Sequence, residues 1–346
     1  MKKAKKIIAL LLTLAFVATM ISCGKNQEQE HIHKIGVLVY DLKDEQVQAF
    51  REYLESYIAG NFSDVDFLYS SEVTTEEKEM EFLNNAIAEG VEGVLAFNSF
   101  DLEKEVSLCA ENGVYFIRPS STTAPEDFDK VADNPYFLGY FGPGSEMEYQ
   151  AGFDMGSYFA KEQISDSYFL LSGGAGTNVM HEQRTEGMLD ALQEAYGVQF
   201  EQSSAELASA SEPVSVEAGN LKVTVFPGYI GVPDVGEKAV AEFEKDPAGV
   251  VMSTIPVQAI ADSLGDASLG TVDCYTETNG ELFRNGNLKY LCGKYESIIG
   301  PAFAAMYNAV TGYSEDFRED EKAFAIQQGF WTSTNYQDFQ KKYELS

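Results

Sequence analysis

The chain reads as an α/β protein made of two successive Rossmann-like lobes, each a parallel sheet with helices on both faces. Three observations predict this. Short apolar runs rich in Val, Ile, Leu and aromatic residues alternate with longer stretches whose apolar positions recur at helical spacing. The order strand, helix, strand calls for parallel pairing, because a crossover helix brings the chain back to the same end of the sheet. The alternation breaks once, at a loop rich in Pro, Ser and Thr over Pro119–Pro125, and then resumes without a sequence repeat of fixed period.

In the first series, 34–40 (KIGVLVY) is a continuous apolar strand, and 45–58 places Val47, Phe50, Leu54 and Ile58 on one helical face. A strand at 65–69 precedes a helix at 74–89 with Met80, Leu83 and Ile87 aligned. A strand at 91–97, a helix at 102–112 and a strand at 114–117 follow. The second series has strands at 136–141 and 168–171, each followed by a helix, at 145–162 and 180–196. After a polar insertion at 203–213, the runs 214–217 and 221–226 flank Ala218-Gly219-Asn220 and read as a hairpin. Helices at 235–244, 257–264 and 299–311 and strands at 249–252, 269–275 and 288–292 complete the pattern.

With 346 residues, 45% hydrophobic and 23% charged, the chain can bury a large core, which excludes global disorder and small disulfide scaffolds. Its 24 basic against 55 acidic residues, a formal charge of −31, argue against a nucleic-acid partner, whose phosphates need a basic surface.

Residues 1–22 read as an export signal: Lys2, Lys3, Lys5 and Lys6 precede the apolar stretch Ile7–Ala18, and small Ser22 precedes Cys23. That stretch is too short to cross about 30 Å of hydrocarbon as a helix. Met20-Ile21-Ser22-Cys23 resembles a bacterial lipobox, which implies lipidation of Cys23 and a membrane anchor on the extracytoplasmic face. Residues 23–33 are polar and aperiodic, a tether to the globule. His31 and His33 could ligate a metal, but the sequence shows no third ligand near them, so no metal is expected there. Cys109, Cys274 and Cys292 lie in helix- and strand-like runs, the usual setting of inert buried thiols.

The segment Ser172-Gly-Gly-Ala-Gly-Thr177-Asn178 joins a strand to a helix and would let backbone N–H groups approach a ligand. It lacks the Gly-Lys-Ser/Thr of a P-loop and the third glycine of a dinucleotide motif, so no nucleotide cofactor is expected. No nucleophile elbow or zinc-protease motif occurs, and of 3 histidines only His181 could act as a base within the fold. The chain is therefore not expected to be an enzyme.

The segments KIGVLVYDLKDEQVQAFREYLES, VEGVLAFNSFD, ENGVYFIRP and LLSGGAGTNVMHEQRTEGMLDAL together resemble the type I periplasmic binding proteins of ABC transporters, notably the ribose and galactose binders. Arg184-Thr-Glu-Gly187 after a Gly-rich turn is the most specific element, and the likeness spans about 34–334. It implies an N-terminal lobe at 34–141 plus 295–323, a C-terminal lobe at 142–294, three hinge strands, and a segment 324–346 returning across the hinge. Ligand would sit in the cleft between the lobes, and the partner would be a membrane permease or a sensor kinase. The resemblance further implies a monomer that captures one small molecule without altering it.

Position by position, Asn98 and Arg184 match pocket residues of that family. Arg118 stands where those binders often carry an acid, Ser253 and Thr254 where they have Asn-Asp, Asp273-Cys274-Tyr275 for Gly-Phe-Asp, and Lys294 for a pocket Gln. The paired sugar-clamping aromatics are missing from Tyr40-Asp41-Leu42-Lys43. Arg118, Arg184 and Lys294 would then face one cleft and suit a carboxylate or phosphate, worth about 4 kcal/mol per contact at an effective dielectric near 20 before desolvation is subtracted. The competing expectation pairs Arg118 with Asp127 or Asp129 and Lys294 with Glu296. Gly270-Thr-Val-Asp273, Leu291-Cys-Gly-Lys294-Tyr and the helix holding Tyr307 also resemble the basic-membrane-protein branch, which binds purine nucleosides. There Asp273 and Lys294 would grip ribose and Tyr40, Phe141 or Tyr229 would stack on the base. Phe97, Phe100, Tyr140, Phe141, Tyr275 and Trp331 are further candidates for the cleft wall, against the alternative that they are core.

Overall fold

The computed structural model describes residues 31–161, 165–174, 179–228, 232, 234–313 and 322–346. The leader, Cys23, most of the tether, Ala175–Asn178 and Tyr229 lie outside the described residues. The strands are β1 (His33–Leu38), β2 (Val65–Tyr69), β3 (Gly93–Ala96), β4 (Tyr115–Pro119), β5 (Phe137–Gly142), β6 (Ser167–Leu171) and β7 (Val214–Ala218). They continue with β8 (Leu221–Phe226), β9 (Val250–Ser253), β10 (Ser268–Cys274), β11 (Leu288–Lys294), β12 (Phe324–Gln327) and β13 (Trp331–Ser333).

One sheet runs β2-β1-β3-β4-β5-β12, all parallel. The other runs β7-β8-β6-β9-β10-β11-β13. Its centre, β8-β6-β9-β10-β11, is parallel and repeats the order of the first sheet, while β7 and β13 are antiparallel edges. The β7–β8 hairpin turns at Gly219, whose φ of 61° is left-handed. Each sheet carries apolar side chains on both faces, as parallel strands require. In β1, Ile35 and Val37 join one core layer and Leu38 the other.

The chain passes between the sheets three times. After β5, helix Ser145–Lys161 packs on β9, β10 and β11. After β11, helix Gly300–Val310 packs on β3, β4 and β5. Finally β12 lies beside β5 and the next strand, β13, beside β11.

Some helices escape the apolar-period reading. Pro125–Val131 is a helix that begins at the last residue of the expected loop, Ser204–Ala208 is a helix inside the expected polar insertion, and Glu277–Asn285 fills the gap between β10 and β11. Each is set by its start more than by its face. Pro125 opens the first, a capping box of Ser203 and Glu206 the second, and Thr276, which accepts from Asn279 N, the third. The stretch expected as a helix at 257–264 is a tight 3₁₀ segment, Gln258–Ser263. The tether ends earlier than expected, because His33 already belongs to β1. Cys109, Cys274 and Cys292 are free and buried, and burial pushes the Cys109 and Cys292 thiols up to about 12.

Helices Ser145–Lys161 and Val179–Tyr196 pack backbone against backbone, and glycine allows it. A β-carbon on Gly152 would overlap the Arg184 carbonyl oxygen, and one on Gly187 the Tyr149 carbonyl oxygen. Gly187 thus explains why Arg184-Thr-Glu-Gly187 is distinctive. The expected outcome of Gly187→Ala is a loss of about 2 kcal/mol in urea unfolding, from forced separation of the helices. Gly60→Ala, where nothing lies within 4 Å of the added carbon, should cause no loss.

Candidate functional site

In an open parallel sheet, the loops beyond the carboxyl ends of the strands diverge where strand order reverses and leave a crevice. Here the reversals fall between β1 and β3 and between β6 and β9. Loops beyond both enclose one cleft of about 880 Å³, a size suited to a small molecule.

The first-sheet side is built on the turns after β1, β3 and β4. Asp44 caps helix Glu45–Glu52, accepting from Gln46 N at 2.9 Å and Val47 N at 3.1 Å, and burial raises its carboxyl above the ordinary range. Asn98 donates from Nδ2 to Glu79 Oε1 at 3.0 Å, which fixes the amide plane and leaves Oδ1 without a partner among the described residues. Glu79 and Glu105 are both fully buried, and the Phe100 N–H bonds to both. Burial, then the neighbouring Glu105, pushes the Glu79 carboxyl well up. Arg118 donates to Thr122 O at 3.3 Å and Thr123 Oγ1 at 2.9 Å, and burial lowers its pKa. Phe97 stacks on Phe50, centroids 5.1 Å apart.

The second-sheet side centres on a buried ion pair. Arg184 Nε donates to Glu148 Oε2 at 2.6 Å, and its NH1 to Thr254 O at 2.9 Å. Left-handed Gly173 (φ 76°) runs so close to His181 and Thr254 that no side chain fits there. His181 is held neutral, its pKa lowered to about 3 by burial and by Arg184. Asp273 accepts from Gln258 Nε2 at 2.6 Å and Asn279 Nδ2 at 2.7 Å. Desolvation outweighs those bonds and raises it to about 6, with Asp44 across the cleft adding to the rise. Desolvation also brings Lys294 down to about 8. Both side chains stay partly open to the cleft although protein surrounds their charged ends.

The two sides touch. Lys294 Nζ donates to Ser120 O at 2.8 Å, Thr122 Oγ1 to Glu148 Oε1 at 3.1 Å, and Thr278 Oγ1 to Glu45 Oε1 at 2.8 Å. Ser120 adopts a left-handed φ of 52°, uncommon for a non-glycine residue, and presents its carbonyl to the lysine.

Of the residues singled out from sequence, Tyr40, Asn98, Arg118, Arg184, Thr254, Asp273 and Lys294 line the cleft. Asp41, Phe141 and Tyr275 do not. Asp41 accepts from Lys43 N at 2.9 Å in its own turn. Phe141 is core, 6.0 Å from Phe324 between ring centroids. Tyr275 is buried against Phe339 and shares a hydrogen bond with Ser333. Phe97 lines the cleft, whereas Tyr140 packs on Phe128, Trp331 on Tyr295, and Phe100 is exposed. Among the described residues neither Arg118 nor Lys294 makes an ion pair within 4.0 Å, so the pairings with Asp127, Asp129 and Glu296 do not form. The sequence reading passes over Asp44, Phe50, Gln183 and Phe330, which also line the cleft, and Glu79, Glu148, Gln258 and Asn279, which orient the lining. Only Asp44, an acid just ahead of an apolar helical stretch, carries a signal that could have found it.

No family model and no curated protein matches the chain. Solved structures do. The arabinose ABC transporter's periplasmic binding protein from Shewanella sp. ANA-3, bound to α- and β-L-arabinofuranose, shares 15% identity at TM-score 0.64, covering 90% of this chain and 95% of that one. A solute-binding protein from Bacillus halodurans C-125 with bound myo-inositol shares 15% at TM-score 0.65, covering 92% and 99%. A galactofuranose binding protein shares 12% at 0.65, covering 90% and 97%. The chain therefore has the type I periplasmic binding protein fold. No helix among the described residues is long and apolar enough to cross a membrane.

Removing one member of a buried ion pair strands the other, at a cost of about 3–5 kcal/mol, whereas replacing both costs far less. Glu148→Ala and Arg184→Ala are each expected to destabilise by about that amount, and Glu148→Leu with Arg184→Met by less than either. Urea unfolding of the variants measures this.

Proposed function

We propose that the chain is an extracytoplasmic solute-binding protein that captures one small polyhydroxylated molecule, a sugar or sugar derivative, and hands it to an ABC permease. The observation that carries the reading is the mixture of groups in the cleft. A sugar hydroxyl both donates and accepts, and here donors from Arg118, Arg184 and Lys294 face acceptors on Asn98, Gln183 and Asp273. Several of those groups have a buried atom with no partner among the described residues: Asn98 Oδ1, Arg118 Nε, Ser120 Oγ and Gln183 Oε1. Such atoms cost about 1–3 kcal/mol each when left unsatisfied, and a polar ligand recovers that. The aromatic faces of Phe50 and Phe97 suit the apolar side of a sugar ring.

Capture rests on closure. Ligand that bridges both lobes favours the closed arrangement by its differential affinity, and the closed form docks on the permease. Export signal and lipobox support anchoring through Cys23, and the tether then lets a monomer sample the space above the membrane. No step in this reading makes or breaks a bond. Arg118 and Lys294, both free of ion pairs among the described residues, favour an acidic substituent on the ligand. Asp273 and Lys294 at the ends of neighbouring strands, with Tyr40 on the opposite side of the cleft, favour a purine nucleoside as the second reading.

Native mass spectrometry of protein purified without added ligand should show a co-purifying sugar mass. Calorimetry with neutral sugars, uronic acids, sugar phosphates and purine nucleosides then separates the readings. For an acidic sugar, Arg118→Ala is expected to weaken binding tenfold or more, and an unchanged affinity removes the acidic substituent. Binding of nucleosides alone replaces sugar with nucleoside, and turnover of bound ligand overturns the reading altogether.

Affinity should follow a bell in pH. Asp273 accepts most strongly from ligand when ionised, so binding weakens as pH falls through about 6, and Lys294 donates fully only when protonated, so it weakens as pH rises through about 8. Asp273→Asn should flatten the acid limb and Lys294→Met the alkaline one. Without ligand the signs reverse. The stability tied to neutral Asp273 is lost as pH rises through about 6, and that tied to neutral Lys294 is lost as pH falls through about 8.

A further inference from the structure

At the end of the first sheet away from the cleft lies a second constellation. His31 and His33 are two residues apart where the chain enters β1, so their side chains lie on the same side. Their rings meet edge to face with centroids 4.7 Å apart. Glu92 stands one residue before β3. The parallel register sets Ile35 opposite Gly93, and Glu92 N donates to Lys34 O at 2.8 Å. This register carries the Glu92 carboxylate to both rings, with Oε1 2.8 Å from His31 Nε2 and Oε2 3.0 Å from His33 Nδ1. Candidate ligand atoms of all three residues fall within 4.8 Å of one another.

We infer that His31, His33 and Glu92 form a binding site for a divalent transition-metal ion of the Zn(II) class, separate from the cleft. Two imidazoles and one carboxylate are ligands for a borderline ion, and three protein ligands leave one tetrahedral position open. Hard ions that prefer six or more oxygens are poorly served. The site is shaped before metal arrives. β-Pairing fixes the backbones of His33 and Glu92, and the His33 side chain is only 11% exposed beside Tyr307, whose hydroxyl donates to Asp64 at 2.8 Å. A bound ion replaces the hydrogen bonds of Glu92 with coordination and clips residue 31, just ahead of β1, to the amino-terminal end of β3. From His33 to Tyr40 the chain spans about 20 Å at strand rise, so occupancy should leave solute capture untouched.

The test is titration of Zn(II) into the chelator-stripped full chain near neutral pH. One equivalent is expected to bind at micromolar affinity or tighter. His33→Ala and Glu92→Gln should each weaken binding tenfold or more, while Glu89→Gln, a nearby acid outside the cluster, should not. Co(II) should give visible absorption of a low-coordinate site that the same two variants abolish. Absence of saturable binding up to about 100 μM Zn(II), or binding undiminished in both variants, overturns the site and leaves a hydrogen-bonded cluster only. Circular dichroism confirms that each surface variant is folded.

Discussion

Two helices that touch backbone to backbone set the position of the charged floor of the cleft. Because Gly152 and Gly187 have no side chains, helices Ser145–Lys161 and Val179–Tyr196 come close enough for Glu148 and Arg184 to meet in a dry interior. A carboxylate and a guanidinium buried together persist only when their other hydrogen-bonding positions are also filled. Here further positions are filled: Arg184 also donates to the Thr254 carbonyl just beyond β9, and Glu148 accepts the Thr122 hydroxyl from the opposite lobe. One glycine contact thereby determines where a strand-end loop sits and where the two lobes meet.

The charge pattern around that floor narrows what the cleft can hold. The protein as a whole is strongly acidic, yet Arg118, Arg184 and Lys294 converge on the cleft, and among the described residues Glu148 is the one acid in a direct ion pair with any of them. The overall negative field is screened beyond about 8–10 Å at physiological salt, so the local cations decide contacts inside the cleft. Asp44, Asp273 and the buried pair Glu79 and Glu105 offset them only in part, since burial raises Asp44, Asp273 and Glu79 toward their neutral forms. The cleft therefore presents cationic donors beside acids whose charged forms burial disfavours.

Much of the fold is legible in the chain because parallel strands and their covering helices leave periodic apolar signatures. β1, β3 and β6 are continuous apolar runs, and Val47, Phe50, Leu54 and Ile58 recur at helical spacing. Helix Glu277–Asn285 is not legible, because its buried face includes Asn279, which serves Asp273, and Gly280, which admits Phe339. At the site, position along the chain identifies the loop but not the direction of each side chain. Phe141, near the end of β5, and Tyr275, just beyond β10, turn into the core, while Asp273, only two residues before Tyr275, lines the cleft, so strand alternation alone does not sort them once the chain leaves the strand. Glu148, Glu79 and Glu92 are acids in a chain full of acids. Only the meeting of helices, or the register of β1 with β3, distinguishes them.

Three hydrogen bonds among the described residues join the two sides of the cleft. Lys294 to Ser120, Thr122 to Glu148 and Thr278 to Glu45 are hydrogen bonds involving a charged group, each worth about 1.5–3 kcal/mol net at most and less where water competes. Against them stand the left-handed backbone of Ser120 and the desolvation of Lys294 and Asp273. These terms oppose one another, so the joint between the two sides of the cleft is weaker than its hydrogen bonds alone would make it. The lysine also keeps donors in reserve. An ammonium has three, and the Ser120 carbonyl takes one, so a bound hydroxyl or carboxylate can add to the contact between lobes without breaking it.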